Sequence, residues 1–196
     1  MANHSPIKTG VLAVQGDYEA HAAALKRAGA EVVFVRTVAD MRGISALILP
    51  GGESSTQLQF LTEEGLDKEI KDFAARGGAI LGTCAGAILL ARKVRNPAQK
   101  SLGIVDVVVA RNAYGRQLAS EVREGVSKLS KHPLEMVFIR APIIEKIGRG
   151  VEVLAESEGR PVLVKQGNIL TATFHPELTS DPAVHEYLLH LAHNGR

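Results

Sequence analysis

The stretch Ala79-Ile-Leu-Gly-Thr-Cys-Ala-Gly-Ala-Ile-Leu-Leu-Ala91 contains the change of pattern that decides the fold. Its first five residues form a short apolar run of the kind found in buried parallel strands. An apolar segment with helical character, predicted from about Ala85 to Arg92, follows directly. The single cysteine of the chain, Cys84, therefore falls on a strand-to-helix turn. This arrangement is typical of a nucleophile elbow, in which a tight turn exposes a reactive side chain.

The glycines on either side of the cysteine, Gly82 and Gly86, meet the steric demand of such a turn. A strained turn that pushes one side chain outward leaves little room for side chains two residues away. The following helix presents backbone amides and the positive end of its dipole, which stabilise a thiolate. A lone cysteine is more often a small buried hydrophobe. The Gly-x-Cys-x-Gly frame after a strand reverses that preference and favours a nucleophile.

Apolar runs elsewhere in the chain predict the rest of an α/β fold. Three earlier runs alternate with segments of helical spacing, which indicates a βαβαβα order, and they lie at 10–14, 32–35 and 46–50. The later runs are separated by loops without convincing crossover helices, which indicates partly antiparallel strands, and they lie at 105–110, 136–139, 151–155, 161–164 and 169–174. A last helix is predicted from about Pro182 to His193, with Asp181 as its N-cap.

Length and composition limit the class of protein. A chain of 196 residues supports one full hydrophobic core, so we expect a flexible tail over 1–9 and a single domain over 10–196. The 23 basic and 21 acidic residues are well mixed, which leaves no basic stripe for nucleic acid. No secretory signal and no apolar run of about 18 residues occurs. A single cysteine also suits a reducing compartment, so cytoplasmic localisation is expected.

A cysteine nucleophile needs a base, and the base needs a third group that fixes its tautomer. His175 and Glu177 fit these roles, because they are two residues apart at the end of the apolar run 169–174. Functional residues of an α/β sheet gather at the carboxyl ends of strands, where this segment and Cys84 would both lie. An isolated His-Pro-Glu is more often structural, but together with the elbow it predicts a catalytic triad.

A third glycine-rich segment, Pro50-Gly-Gly-Glu-Ser-Ser55, also follows an apolar run. Adjacent glycines leave backbone N–H groups unobstructed, which is the form of an oxyanion hole built from main chain. An ordinary turn with Ser54 or Ser55 as helix N-cap is compatible with the same residues. On the last predicted helix, Glu186, His190 and His193 share a face at a spacing seen in metal sites, although a solvated face with a local ion pair is commoner.

Six segments resemble the class I (triad) glutamine amidotransferases and, within them, the glutaminase subunits of pyridoxal 5′-phosphate synthase. The resemblance spans nearly the whole chain, and its departures, Tyr114 for Phe and Ser55 for Thr, lie outside the triad. The segments are Gly10-Val-Leu-Ala-Val-Gln-Gly-Asp17, Leu49-Pro-Gly-Gly-Glu-Ser-Ser55, Gly82-Thr-Cys-Ala-Gly86, Arg111-Asn-Ala-Tyr-Gly-Arg-Gln117, Phe138-Ile-Arg-Ala-Pro142 and Phe174-His-Pro-Glu-Leu-Thr179.

The resemblance implies the flavodoxin-like three-layer fold of that family, with a mostly parallel central sheet and additional antiparallel strands in the second half. It implies that Cys84 forms a γ-glutamyl thioester, that His175 protonates the departing ammonia, and that Glu177 orients the histidine. It also implies binding and oxyanion contacts to L-glutamine from a further set of residues, namely Gly51, Gly52, Glu53, Arg111, Ile139 and Arg140. No metal and no cofactor is implied.

The resemblance further implies a protein partner. In this family a (β/α)₈-barrel synthase subunit receives ammonia through the protein interior and condenses it with ribose 5-phosphate and glyceraldehyde 3-phosphate. Up to twelve glutaminase subunits decorate a synthase dodecamer. Three alternatives stay open at this point: the glutaminase component of another triad amidotransferase, a cysteine hydrolase with a similar elbow, and a non-catalytic α/β partner module in which Cys84 is structural.

Overall fold

The computed structural model describes residues 6–111 and 120–195, so most of the segment Arg111–Gln117 lies outside the described residues. Five α-helices are present in these ranges, and they are α1 (Tyr18–Arg27), α2 (Ser54–Glu63), α3 (Leu66–Ala75), α4 (Ala85–Leu90) and α5 (Ala183–Asn194). Two short 3-10 helices cover Val38–Met41 and Pro176–Leu178. Within the same ranges, no helix has both the length and the apolar composition needed to cross a membrane.

The described residues also form twelve strands. These are β1 (Lys8–Leu12), β2 (Glu31–Val35), β3 (Ala46–Leu49), β4 (Ala79–Thr83), β5 (Ala91–Arg95), β6 (Val105–Ala110), β7 (Ser120–Ser127), β8 (Leu134–Ile139), β9 (Ile143–Ile147), β10 (Glu152–Ser157), β11 (Arg160–Gln166) and β12 (Ile169–Ala172). Nine of them build one sheet in the order β2-β1-β3-β4-β12-β11-β10-β7-β8, and β5-β6-β9 form a second, smaller sheet.

The large sheet is parallel in one half and antiparallel in the other. Strands β2, β1, β3, β4 and β12 pair in parallel, whereas β12, β11, β10, β7 and β8 pair antiparallel. The α/β class and the later antiparallel strands are therefore as predicted. Because β3, β4 and β12 are parallel neighbours, the chain leaves all three at the same edge of the sheet.

Two hydrophobic cores cover the two faces of the sheet. Successive strand residues alternate between them, as the period of two requires: Leu47 belongs to one core and Ile48 to the other. The first core includes apolar residues of α2, α3 and α4, and the second includes residues of α1 and α5. This alternation produces the predicted three-layer sandwich, with almost purely aliphatic packing in the parallel strands.

Several boundaries differ from the sequence-based prediction. Strand β1 begins at Lys8, so residues 8 and 9 belong to the sheet and not to the predicted tail. The helical spacing across 58–73 covers two helices, which Gly65 separates in a left-handed conformation with φ of 69°. Helix α4 ends at Leu90 and not near Arg92, because the chain then pairs as β5 with β6.

The N-caps of two helices were only partly anticipated. Glu53, and neither Ser54 nor Ser55, caps α2, because its carboxylate accepts hydrogen bonds from the backbone N–H groups of the second and third helical residues. Helix α5 begins at Ala183 with Pro182 in the N-cap position, one residue later than predicted, and the Asp181 carboxylate accepts a hydrogen bond from the backbone N–H of Ala183.

Three strands, β5, β7 and β9, were not predicted at all. The sequence of β7 is mostly polar and only two of its eight residues are buried, so it carries little alternation of apolar residues. Three of the five residues of β5 and three of the five residues of β9 are exposed. All three strands form because neighbouring strands supply hydrogen-bond partners, a tertiary effect that overrides weak local preference.

The turn at Cys84 depends on close approach between α4 and β3. A Cβ atom on Gly86 would lie 1.9 Å from the backbone oxygen of Leu49, and one on Gly82 would lie 2.7 Å from the backbone of Gly86. The glycines are thus required by packing across the elbow, as the sequence indicated.

Replacing Gly86 with alanine should therefore destabilise the protein, although alanine is the better helix former. We expect a loss of about 3 kcal/mol or more in the free energy of unfolding, because a backbone oxygen cannot move aside as a side chain can. Chemical denaturation measures the loss. The control is Gly43→Ala, where the new Cβ meets nothing within 4 Å and only the left-handed backbone costs about 1 kcal/mol. Wild-type stability of Gly86→Ala would contradict the packing argument.

Candidate active site

Cys84 occupies a strained position between β4 and α4. Its φ of 48° and ψ of −101° are rare for a residue with a side chain, and such conformations cost on the order of 1–3 kcal/mol. The backbone N–H of Cys84 donates to the oxygen of Ala172 at 2.9 Å, which ties the elbow to the end of β12. The sulfur lies 3.9 Å from the backbone oxygen of Ile139. The turn has the strained strand-to-helix geometry that the sequence predicted at Cys84.

His175 and Glu177 form a buried pair just beyond β12. The backbone N–H of His175 donates to the oxygen of Val137 at 2.8 Å, which holds the segment against β8. Pro176 starts the short 3-10 helix that carries the glutamate. The His175 Nδ1 atom lies 2.7 Å from Glu177 Oε1, and the glutamate side chain is completely buried. The pair therefore has the contact expected between an imidazole base and a carboxylate that orients it.

The two segments meet at one cavity. Cys84 and His175 both line a space of about 290 Å³, together with the predicted residues Gly52, Glu53, Arg111, Ile139 and Arg140. Since Nδ1 of the imidazole faces Glu177, Nε2 is the nitrogen left for the sulfur, and it is buried without a hydrogen-bond partner among the described residues. A larger cavity of about 540 Å³ near Met41 and Phe73 contains none of the predicted site residues.

The electrostatics of the pair favour a protonated imidazole. Burial by itself lowers the pKa of His175, but interaction with the Cys84 sulfur and the Glu177 carboxylate outweighs burial and raises that pKa to about 10. Burial raises the pKa of Glu177, and interaction with His175 offsets part of that rise. The site can therefore hold an imidazolium between two anionic groups, which is the state that a thiolate nucleophile requires.

The glycine pair after β3 is positioned against the histidine. A Cβ atom on Gly51 would lie 2.5 Å from His175 Cε1, so only glycine lets the ring take this place. Gly52 has a φ of 142°, and the backbone N–H of Glu53 donates to Gln15 Oε1 at 3.0 Å. The side chain of Gln57 donates to backbone oxygens of this turn at 3.3 Å. The turn is thus built at the edge of the cavity.

Glu53 and Arg111 form a second polar group in the cavity. The Glu53 carboxylate accepts hydrogen bonds from Ser55 and Thr56 and lies 3.2 Å from Arg111 Nη2. Burial raises the pKa of Glu53, but the hydrogen bonds from Thr56 and Ser55 together outweigh burial and lower that pKa to about 2. Gln99, which was not predicted, accepts a hydrogen bond from Arg111 Nη1 and fixes that side chain.

Ile139 and Arg140 close the cavity on the side of β8. The oxygen of Ile139 faces the sulfur, and Arg140 has a φ of 44°, a second strained non-glycine conformation beside the site. The arginine side chain is exposed, so its guanidinium can reach a ligand. All of the predicted site residues in the described ranges thus gather at this edge of the sheet.

Comparison with known proteins identifies the family. Residues 11–193 match the SNO glutamine amidotransferase family. The chain belongs to this family. It is 52% identical over 189 residues to the pyridoxal 5′-phosphate synthase subunit PdxT of Koribacter versatilis, covering 96% of this chain and 97% of the relative. The corresponding subunit of Thermus thermophilus is 49% identical over 185 residues, with coverage of 93% and 96%.

A solved glutamine amidotransferase structure supports the same assignment at the level of the fold. It superposes with a TM-score of 0.90 at 45% identity, covering 94% of this chain and 98% of that one. The predicted family, the fold and the class of enzyme are thereby confirmed. Of the alternatives, the non-catalytic module is not supported, since the chain belongs to a family of glutamine amidotransferases.

The sequence reading of this amidotransferase missed several polar residues around the pair. Asp17 Oδ2 lies 3.5 Å from His175 Nδ1, and its place in the first matched segment was the available signal. His21 lies behind Glu177, with its Nε2 atom 3.2 Å from Glu177 Oε2. No local pattern marks His21, because its partners are far away in sequence.

Two groups of residues bear on metal binding in this amidotransferase. The donor atoms of Asp17, His175 and Glu177 lie within 4.8 Å of one another, a composition that could hold a metal ion. The close contact between Nδ1 and Glu177 already accounts for this cluster. On α5, His190 Nε2 lies 2.9 Å from Asn194 Nδ2 and the His190 ring stacks on Tyr187, so local contacts explain the histidine that the sequence had offered as a metal ligand.

The coupling between sulfur and imidazole predicts a measurable change in the Cys84→Ala variant. Removing the sulfur removes one of the anionic groups that raise the pKa of His175, so this pKa should fall from about 10. Titration of the histidine ring protons by NMR measures it. An unchanged His175 titration would show that the two groups do not interact.

Proposed function

We propose that this amidotransferase hydrolyses L-glutamine to L-glutamate and ammonia as the glutaminase subunit of pyridoxal 5′-phosphate synthase. The observation that carries the proposal is the meeting of the Cys84 elbow with the buried His175–Glu177 pair at one cavity. The names of the relatives support the pathway, because both are pyridoxal 5′-phosphate synthase subunits. We further propose that the chain from β1 to α5 forms a single glutaminase domain.

In the first half of the reaction the Cys84 thiolate attacks the side-chain amide carbon of glutamine. A carbon–sulfur bond forms and the carbonyl electrons move onto oxygen. When they return, the carbon–nitrogen bond breaks and His175 gives its proton to the departing nitrogen, which leaves as ammonia. The enzyme is left with a γ-glutamyl thioester on Cys84 and a neutral imidazole. Glu177 holds Nδ1 throughout, so that Nε2 carries the mobile proton.

In the second half a water molecule attacks the thioester. His175, now neutral, removes a proton from the water as the new carbon–oxygen bond forms. The carbon–sulfur bond then breaks, the thiolate is restored next to the imidazolium, and glutamate leaves. Both halves develop negative charge on the substrate oxygen. We assign the stabilisation of that charge to the main-chain amides at Gly51 and Gly52, because Gly51 lies against the His175 ring and Gly52 lines the cavity.

Substrate recognition falls to the charged side chains of the cavity. A guanidinium pairs with a carboxylate through two parallel hydrogen bonds, so Arg111 and Arg140 are the candidates for the α-carboxylate of glutamine. Glu53 is the candidate for the ammonium group, although its carboxylate also caps α2 and pairs with Arg111. Ile139 contributes through its backbone oxygen, which faces the reacting sulfur.

We propose that a (β/α)₈-barrel synthase subunit uses the ammonia as its substrate. We also propose that up to twelve glutaminase subunits bind to one synthase dodecamer. Direct transfer inside a complex prevents loss of ammonia to solvent. We also propose that the protein acts in the cytoplasm, because its one cysteine is a free thiol that must stay reduced to react.

Substitution of either reacting group should abolish glutamate release. Cys84→Ala removes the nucleophile and His175→Asn removes the base and acid, so each should reduce turnover by about 10⁴-fold or more. The assay mixes the protein with its synthase partner and glutamine and measures glutamate. Binding of the synthase should survive both changes. Persisting turnover in either variant would reject the proposed function.

Glu177→Gln should be milder, because orientation of the imidazole is partly replaceable. We expect its turnover to be roughly ten- to a hundredfold higher than that of Cys84→Ala. If Glu177→Gln reduced turnover more than Cys84→Ala does, Glu177 would have a role beyond orienting the imidazole.

Arg111→Lys tests substrate binding. Lysine keeps the charge but cannot form two parallel hydrogen bonds with a carboxylate, so KM for glutamine should rise about tenfold while kcat changes little. Steady-state kinetics measure both constants. The matched control is Arg92→Lys, whose guanidinium pairs with Asp106 on β6 and lies outside the cavity. A fall in kcat at constant KM would contradict a binding role.

A further inference from the structure

Behind Glu177 lies a row of buried polar side chains that the reaction described above does not use. His21 comes from α1, Thr83 from the end of β4 and His185 from α5, and none of the three is more than 1% exposed. None of them lines the cavity that contains Cys84. Burying three polar side chains together costs free energy unless they form hydrogen bonds with one another or with neighbouring groups.

The glutamate lies between two imidazole rings. Its Oε1 atom is 2.7 Å from His175 Nδ1, and its Oε2 atom is 3.2 Å from His21 Nε2. The same Nε2 atom is 3.0 Å from Thr83 Oγ1, while His21 Nδ1 is 3.0 Å from His185 Nε2. Both nitrogens of the His21 ring are therefore engaged, which fixes the orientation of the ring.

The two histidine rings of this row are neutral. Burial, and then the proximity of His185 and His175, lowers the pKa of His21 well below its usual value. Burial, and then Arg27, lowers the pKa of His185 to about 4. The other ionisable group close to this row is Asp17, which acts on Glu177. Because a neutral imidazole has one N–H, each ring of the row donates one hydrogen bond and can accept one.

The position of each proton follows from the partners. His21 Nε2 faces a carboxylate, which can only accept, so Nε2 carries the hydrogen and Nδ1 accepts from His185 Nε2. Thr83 Oγ1 is the hydrogen-bond partner of Nε2, at 3.0 Å. The contact of the same N–H group with Glu177 Oε2, at 3.2 Å, is then electrostatic. Oε2 has no hydrogen-bond partner among the described residues.

We propose that His21 is a positioning residue for glutamine hydrolysis: its neutral imidazole, held by Thr83 and His185, presents an N–H to Glu177 and keeps that carboxylate ionised and turned toward His175. The inference rests on the proposed function, because it assigns a support to the same triad. A neutral donor suits this place, since a cation there would compete with the His175 imidazolium for the carboxylate. Without the donor, burial favours the protonated glutamate, which cannot stabilise the imidazolium.

The single cysteine allows a test that needs neither partner nor substrate. Alkylation by iodoacetamide reports the thiolate form of Cys84 alone, because the chain has no other thiol. The rate is measured from pH 5 to 10 in wild type, His21→Leu and His21→Gln. Leucine removes the N–H, whereas the glutamine amide places one near the position of Nε2. Leu25→Val is the matched control, a fully buried change on the same helix.

In His21→Leu we expect alkylation at pH 6 to be roughly tenfold slower than in wild type, as for the loss of one polar neighbour of a buried charged group, with equal rates at pH 10. His21→Gln should stay within about threefold of wild type, and kcat for glutamine should follow the same order at unchanged KM. Leu25→Val should lower the melting temperature without altering the pH profile. A wild-type profile in folded His21→Leu, or a loss in His21→Gln equal to that in His21→Leu, would overturn the inference.

If His21→Leu does not fold, His185→Leu replaces it in the same measurement. This change leaves His21 Nδ1 without its donor and releases the ring, so the alkylation rate at pH 6 should again fall, and a wild-type profile would overturn the inference. Failure of the proposed function is distinguishable, because it appears as a wild-type protein that releases no glutamate with its synthase. The pH profile of alkylation tests the positioning role of His21 in either case.

Discussion

The parallel pairing of β4 with β12 is the constraint on which the rest of the structure depends. The two strands are almost 90 residues apart in sequence, yet their register runs from Ile80 beside Ile169 to Thr83 beside Ala172. The backbone hydrogen bond from Cys84 to Ala172 continues the ladder by one step. Since parallel strands end at the same edge, this pairing brings the elbow and the His175 segment together before any side chain is considered.

The site is assembled at some cost to the fold. A buried carboxylate at Glu177, strained backbone at Cys84 and Arg140, and a glycine at 51 that admits the His175 ring are each unfavourable or restrictive on their own. They are tolerated because both cores of the sheet are large and aliphatic and hold the elements rigidly. The same rigidity positions the sulfur, the imidazole and the carboxylate.

Polar residues that the sequence did not predict as site residues complete the arrangement. Gln99 orients Arg111, Gln15 and Gln57 hold the glycine turn after β3, and a buried row that begins at His21 backs the glutamate. Some of these polar groups face the cavity and others face the core. Residues of α1 and α5 thereby contact residues at the ends of β4 and β12.

The amino-acid sequence by itself determined the elbow, the His-x-Glu pair, the glycine turn and the aliphatic α/β core, because each is a local pattern of a few residues and the patterns together favour one chemistry. It did not reveal β5, β7 and β9, which form only against neighbouring strands, nor the capping role of Glu53, where two serines were the better local candidates. Only the tertiary structure decided that His21, Thr83 and His185 meet behind Glu177. Their contacts join residues that are 62 and 164 positions apart in the sequence. The packing of the helices against the sheet brings these residues together, and no periodic pattern along the chain predicts such contacts.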